Sequence, residues 1–375
     1  MIGTGVQLPF LPLWLAAKGL SVSQIATVVA AMMAVRVIGA PLFSYVADRS
    51  GNRILVIRCC AALALLAYVA LPFTSSFGQI LLVALAAGLF FAPVFPLTEG
   101  FSVDGSAAHG LDYGRIRLWA SLSFLIGSLT SGALLTTLPP STTVWLIAGA
   151  QCLNVLATFI LPPEPKRGVD HPATSLDLMG ALKFLFLSRF TVFLGAASLA
   201  NSSHAMIYSF SSVHWTSLGF STFTIGILWA CAVSAEVVLF AFSNRVIKRL
   251  GSPLLLCVGL SGGIIRWVGM AFANGVIEMG LLQALHAVSF ACSHLALMHF
   301  IRLNVPQKLR NTAQGLYVAL AGGVLLSSVT WMSGPLYESY GGHAYLAMAV
   351  ICSLGLSLAL SYMRLSPKVH VAVAA

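Results

Sequence analysis

"ADRSGNR", residues 47–53, separates one long apolar run over 23–47 from a second over 54–72. Much later, "SNRVIKR" (243–249) stands in the same relation to the apolar runs 222–243 and 252–273. Each run matches the roughly 20 residues that an α-helix needs to cross hydrocarbon. A short basic connection between two such runs is what a helical hairpin leaves outside a bilayer. Working outward from these loops, the chain divides into apolar blocks at 1–17, 23–47, 54–72, 78–101, 118–137, 143–162, 188–213, 222–243, 252–273, 276–301, 312–334 and 343–363. They are too long for barrel strands and lack a two-residue alternation.

Composition agrees. Of 375 residues, 58% are apolar and 8% charged, with a mean hydropathy of +0.93, against about a quarter charged in a soluble domain. The net charge of +10 would point to nucleic acid if it were spread over a soluble surface. Its placement excludes that. With loop 48–53 on the cytoplasmic side, all of the 20 basic residues fall there except Lys18, which faces outward, and Arg36 and Arg266, which lie within blocks. That asymmetry places both termini in the cytoplasm. The seven cysteines sit in or beside apolar blocks without metal-ligand spacing and imply no disulfide framework.

The longest connection, about 163–187, carries Pro163, Pro165 and mixed charge, and divides the blocks six and six. The expected organisation is an N-terminal six-helix half over 1–162, a cytoplasmic linker over 163–187, a C-terminal half over 188–363 and a cytoplasmic tail over 364–375. Repetition supports a duplicated, all-α membrane fold of twelve transmembrane helices. Both basic loops follow the second helix of a half, and "FFAPVFPL" (90–97) superposes on "SFACSHLA" (289–296). The first block starts at Met1 without a basic lead-in or a small-residue cleavage site, so it is not a secretory signal. The expectation is a start site further upstream, with the first turns of that helix missing.

Charge within a span is costly and marks function by default. Arg36 lies twelve residues before Asp48, about 18 Å deep at 1.5 Å per residue, beyond the reach of snorkelling. It either binds a substrate carboxylate, which suits a guanidinium fork, or pairs structurally. Aligning the two basic loops sets Arg36 opposite Ala232 and Ala40 opposite Glu236, one turn apart on equivalent faces. A carboxyl such as Glu236 in a dry site can hold a proton. Arg266 lies in the outer third, where snorkelling competes with function. Gln283, His286, Ser289 and Ser293 fall on one face of the tenth block. They form either a cavity wall or interhelical hydrogen bonds, and the same choice applies to His294. Glu99, beyond Pro93 and Pro96, is an interfacial carboxylate or a proton site. Asn201, His204 and Tyr208 share a face that can touch an aromatic substrate. Trp14, Phe10 and Tyr317 serve stacking or packing. Gly127, Ser131 and Gly132 on the fifth block, with Gly322, Gly323 and Ser327 on the eleventh, form small-residue faces for close helix crossing.

Two resemblances add to this reading. "DRSGNR" (48–53) resembles the loop motif of the major facilitator superfamily, with Ser44 in place of its leading glycine and Asn52 in place of a basic residue. Two six-helix halves joined by a linker are also that superfamily's plan. "PLTEGFS" (96–102), "LDYGRIRLWASLSFLIGS" (111–128), "AEVVLFAFSNR" (235–245), "IIRWVGM" (264–270) and "LHAVSFACSHLA" (285–296) together resemble the 3-phenylpropionate transporter family, relatives of the lactose permease. The resemblance implies a proton-coupled importer of a small aromatic monocarboxylate, working by alternating access as a monomer in the bacterial inner membrane. The proton gradient supplies the energy, and no cofactor, metal or nucleic acid is needed. Substrate binding falls to Arg36, His204, Tyr208, Glu236 and His286. Proton coupling falls to Glu236, Arg266, His286 and Glu99. A conformational latch and hinge falls to Asp48, Arg49, Arg53, Arg115 and Arg117. The lactose permease has an acid three residues after the histidine matching His286; this chain has Ser289, so proton carriage shifts to Glu236 or Glu99.

Sugar or nucleoside symport and drug–proton antiport are the alternatives within transport. A transporter-like membrane sensor is the alternative outside it. An enzyme is not expected, because His294 and His299 lack the glutamate of a metalloprotease helix.

Overall fold

The computed structural model describes residues 1–163, 189–306 and 309–365. The expected linker beyond Pro163 and the tail beyond 365 lie outside the described residues. Among those residues the chain is helical, and the helices group into twelve rods. They are α1 (Ile2–Ala17), α2 (Val22–Ala34 and Arg36–Ser50), α3 (Arg53–Ala70), α4 (Phe77–Phe91 and Val94–His109), α5 (Tyr113–Leu134) and α6 (Thr143–Thr158). Then follow α7 (Arg189–Ser202 and Ala205–Ser217), α8 (Thr222–Ala241), α9 (Ser243–Phe272) and α10 (Val276–Ala284, Ala287–Cys292 and Ser293–Asn304). The last two are α11 (Arg310–Tyr317, Val318–Leu325 and Leu326–Tyr340) and α12 (Tyr345–Leu365). Among the described residues, seven helical stretches are long and apolar enough to cross a membrane by length and composition. Large apolar side chains such as Leu66, Leu82, Ile265, Ile277 and Leu303 stand exposed on the rods. So much outward apolar surface fits lipid and would be a liability in water.

Caps set the rod ends. The Ser21 hydroxyl accepts from the Gln24 N–H at 3.3 Å, and the Gln24 side chain accepts from the Ser21 N–H at 3.0 Å, a reciprocal box that starts α2. Ser221 starts α8 by accepting from the Thr224 N–H at 3.1 Å. Gly19 and Gly219 turn the chain before these caps with φ of 81° and 83°. Gly51 ends α2 with φ 63°, and Gly251 interrupts α9 with φ 66°. These left-handed conformations belong to glycine. All three pairs are spaced alike, and that spacing sets Arg36 opposite Glu236. The register inferred from the basic loops, Arg36 opposite Ala232, is corrected by one helical turn. Its error came from aligning the basic residues, which stand at different positions within stretches of equal length.

Rods that are distant in sequence pack closely where small residues allow it. α5 lies against α8, α2 against α11 and α1 against α7. A Cβ on Gly132 would come within 2.7 Å of the Thr222 carbonyl oxygen, and one on Gly226 within 2.6 Å of that of Ser128. Across this crossing, Ser128 donates to the Gly226 carbonyl at 3.1 Å and Thr222 to that of Gly132 at 2.9 Å. Gly323 faces Val37 of α2, whereas Gly127 faces α1 at Ile2 and Gly322 faces open space. The small-residue faces of α5 and α11 therefore serve several neighbours. Toward the end that holds Gly19 and Gly219, Phe10 and Trp14 are buried. There Ser23 of α2 donates to Glu338 of α11 at 2.8 Å, and Gly334 lets α11 sit directly on Ser23 and Ala26.

Candidate functional site

Three local irregularities meet at mid-depth. α7 is broken at Ser203 and His204 although no proline is near. There the Ser202, Ser203 and His204 side chains bond back to carbonyls of the preceding turn, which competes with the helical ladder. α10 turns at Leu285 and runs as π-helix over Ala287–Cys292, and α11 does so over Val318–Leu325. Such segments often accompany functional sites.

Between α7, α9 and α10, Arg266 is 1% exposed. Its Nη1 donates to His286 Nδ1 at 3.0 Å and to Ser289 Oγ at 3.1 Å, and its Nη2 to Gln283 Oε1 at 2.6 Å. The guanidinium lies 4.5 Å from the Trp267 ring centroid. His286 Nε2 faces Glu236 Oε2 at 3.4 Å, and Ser289 Oγ meets His204 Nε2 at 3.4 Å. The structure thus brings together Glu236, Arg266 and His286, three residues assigned to proton coupling from the sequence. Solvent reaches Glu236, whose side chain is 22% exposed, but not His204, which is fully buried. His204 therefore touches the network from behind and does not line a cavity. Tyr208 stacks on Trp229 of α8 with centroids 6.2 Å apart, and Trp229 meets Phe124 of α5 at 6.4 Å. This aromatic wall stands two turns from Glu236 on α8. Sequence reading missed Trp229 and Phe124, because aromatics in an apolar block carry no signal of their own.

Arg36 differs. It begins the second segment of α2, just after the interruption at Val35, and Pro41 further along leaves the Val37 carbonyl without its helical donor. It is enclosed by protein yet exposed to solvent. Among the described residues no ion pair or hydrogen bond engages it. Tyr68, fully buried, lies within electrostatic reach and donates to Gln7 Oε1 at 2.6 Å. Neither Tyr68 nor Gln7 stood out in the sequence.

Glu99 accepts from the Tyr113 hydroxyl and pairs with Arg117 Nε at 3.4 Å. Arg117 stacks on Phe95 at 5.4 Å and, with His294, lies within electrostatic reach of Glu236. Arg117, read from the sequence as a loop anchor, lies on α5 beside Glu99, with its side chain 41% exposed. Arg115 does stay outside, its side chain 85% exposed and 3.7 Å from Asp112. Of the other latch residues, Arg53 is buried against Asp104 at 2.9 Å, tying α3 to α4, and Arg49 donates to the Tyr45 hydroxyl at 3.0 Å. Asp48 closes the second segment of α2 beside Gly51. A cavity of about 350 Å³ adjoins Glu99 and Arg117, but α1, α4, α5 and α6 alone line it, away from the Arg266 network. Among the described residues no three His, Cys, Asp or Glu side chains gather as a metal site.

The family described as MFS_1 like matches residues 3–347. The chain is 30% identical over 366 residues to a probable 3-phenylpropionic acid transporter of Escherichia coli (strain K12), covering 97% of this chain and 94% of that protein. It is 23% identical over 372 residues to the lactose permease of Klebsiella oxytoca, covering 92% and 87%. A crystal structure of the nucleoside transporter NupG shares the fold with a TM-score of 0.83 at 17% identity, covering 97% and 95%.

Proposed function

The chain belongs to the MFS_1 like family and is a multi-pass membrane transporter rather than an enzyme, and from that premise we propose that it imports a small aromatic monocarboxylate together with a proton. The observation that carries this reading is the contact of a solvent-reachable carboxyl, Glu236, with the buried Arg266–His286 pair. Arg36, cationic and unengaged among the described residues, receives the substrate carboxylate. Tyr208 and the Trp229–Phe124 wall receive the aromatic ring. Glu236 takes the proton, and Arg266 and His286 couple its charge to the packing of α7, α9 and α10. Glu99 is held by Arg117 and Tyr113, which favours Glu236 as the carrier.

In this reading two six-helix halves, 1–162 and 188–363, rock about the α5–α8 and α2–α11 crossings. The basic end and both termini are cytoplasmic, in a bacterial inner membrane, and the monomer is the working unit. Asp48, Arg49, Arg53 and Arg115 hold the cytoplasmic end. The contact between Ser23 and Glu338 then closes the outer end, and solvent reaches Arg36 and Glu236 from the inside.

The test is uptake of radiolabelled 3-phenylpropionate by proteoliposomes under an inward proton gradient. Wild-type protein should accumulate the acid, a protonophore should abolish accumulation, and Glu236→Gln should exchange substrate without accumulating it. Accumulation that survives the protonophore overturns the coupling, and no movement of any aromatic acid overturns the substrate. Sugar symport is the second reading, favoured by the likeness to a lactose permease; radiolabelled lactose in the same vesicles decides between them.

A further inference from the structure

The hydrogen bonds around Arg266 have only one consistent direction. A guanidinium has donors and no acceptor. His286 Nδ1, at 3.0 Å from Arg266 Nη1, must therefore present its lone pair. The neutral ring then carries its hydrogen on Nε2, the ring nitrogen 3.4 Å from Glu236 Oε2. At the other end, the Ala200 carbonyl can only accept, so His204 Nδ1, 3.1 Å away, carries the hydrogen. His204 Nε2 is then an acceptor, and the Ser289 hydroxyl donates to it while accepting from Arg266. Gln283 is fixed in the same way, its oxygen on Arg266 and its amide donating to the Leu228 carbonyl at 3.1 Å.

We propose that this network holds one exchangeable proton, on Glu236, and that His204 is the positioning residue that fixes its direction through Ser289. A second proton on His286 would set an N–H against the guanidinium. One on His204 would set an N–H against the hydroxyl hydrogen of Ser289. Glu236 alone accepts a proton without reversing a bond, and it is the member that solvent reaches best. Its carboxylate takes the proton from the solvent that reaches it and later returns it to water from the same oxygen. His286 stays neutral throughout, keeping its hydrogen on Nε2, the side nearer Glu236. The groups that face Glu236 are His286 and His294 from α10, Tyr208 from α7 and Arg117 from α5, with Arg266 of α9 behind His286. Arg117 is engaged by Glu99 and Arg266 by the network, so neither takes up or gives off a proton.

Because Arg266, itself held by Ser289 and through it by His204, keeps His286 from ionising, one carboxylate substrate crosses with one proton. That last step rests on the transport reading above; the network itself is tested without substrate. Infrared difference spectra of the purified full chain between acid and alkaline pH should show a protonated carboxyl band that Glu236→Gln removes. His204→Ala and Ser289→Ala, which cut one bond from its two sides, should each move the midpoint of that band by about one pH unit or more. His204→Gln, whose amide oxygen can stand in for Nε2, should restore it. A purely packing role for His204 would change thermal stability and leave the midpoint in place. A band that persists in Glu236→Gln, or midpoints unmoved by both alanine variants, overturns the proposal. Uptake can fail while the band behaves as described, so the two readings fail separately.

Discussion

Arg36 and Arg266 are the two arginines deepest within apolar blocks, yet their surroundings are opposite. Arg266 is enclosed, with His286, Ser289 and Gln283 as acceptors and the Trp267 ring beneath it. Arg36 is open to solvent, with no partner among the described residues. A cation that is 1% exposed, with both Nη1 hydrogens and one on Nη2 already held by neighbours, has no open face for a ligand. A cation left open within a membrane protein is stabilised by water until an anion replaces that water. The difference teaches that intramembrane charge marks a pathway without saying which charge touches the cargo.

The contrast can be broken by exchanging what each arginine does for stability and for binding. Arg266→Met removes the partner of three buried acceptors and should cost roughly 3–5 kcal/mol, seen as a large fall in Tm of the purified protein. A Tm within a degree of wild type would mean that the network contributes nothing to stability. Arg36→Gln should leave Tm nearly unchanged but weaken 3-phenylpropionate binding by about 10- to 100-fold, the value of a hydrogen bond to a charged group. Calorimetric titration reads this loss, and equal destabilisation of the two variants would erase the distinction. Gly132→Ala, with its Cβ 2.7 Å from the Thr222 carbonyl oxygen, should cost about 1–3 kcal/mol by overpacking. Transport should slow while carboxylate affinity holds, because neither arginine is touched. Ser23→Ala should have the smallest effect, about 0.5–1.5 kcal/mol, by loosening the end opposite the exposed Arg36. Spin-label distances between α2 and α11 at that end should broaden toward longer values; an unchanged distribution would show that Ser23 and Glu338 do not hold it shut.

Some of the site was legible because its signals are local. Arg36, Glu236 and Arg266 stand alone in apolar blocks, where any charge is conspicuous. Gln283, His286 and Ser289 could be placed on one face from their three-residue spacing, and the structure does gather them around Arg266. "LDYGRIRLWAS" reads as a loop, whereas Tyr113 already opens α5 and sets Arg117 beside Glu99. The break at His204 has no proline to announce it; it depends on side chains bonding back to carbonyls, a choice made by what packs around them. The offset between Arg36 and Glu236 failed for a related reason. Loop charges suggested one register, and the left-handed glycines, recognisable only from backbone angles, gave another.

The sequence by itself determined the medium, the number of rods and the rarity of buried charge, because lipid tolerates only long apolar helices and penalises every exception. Tertiary structure decided which charge is satisfied, which is left open and which way the hydrogen bonds run. Those depend on atoms from α7, α8, α9 and α10 meeting within about 3 Å, and no spacing along one helix encodes such a meeting.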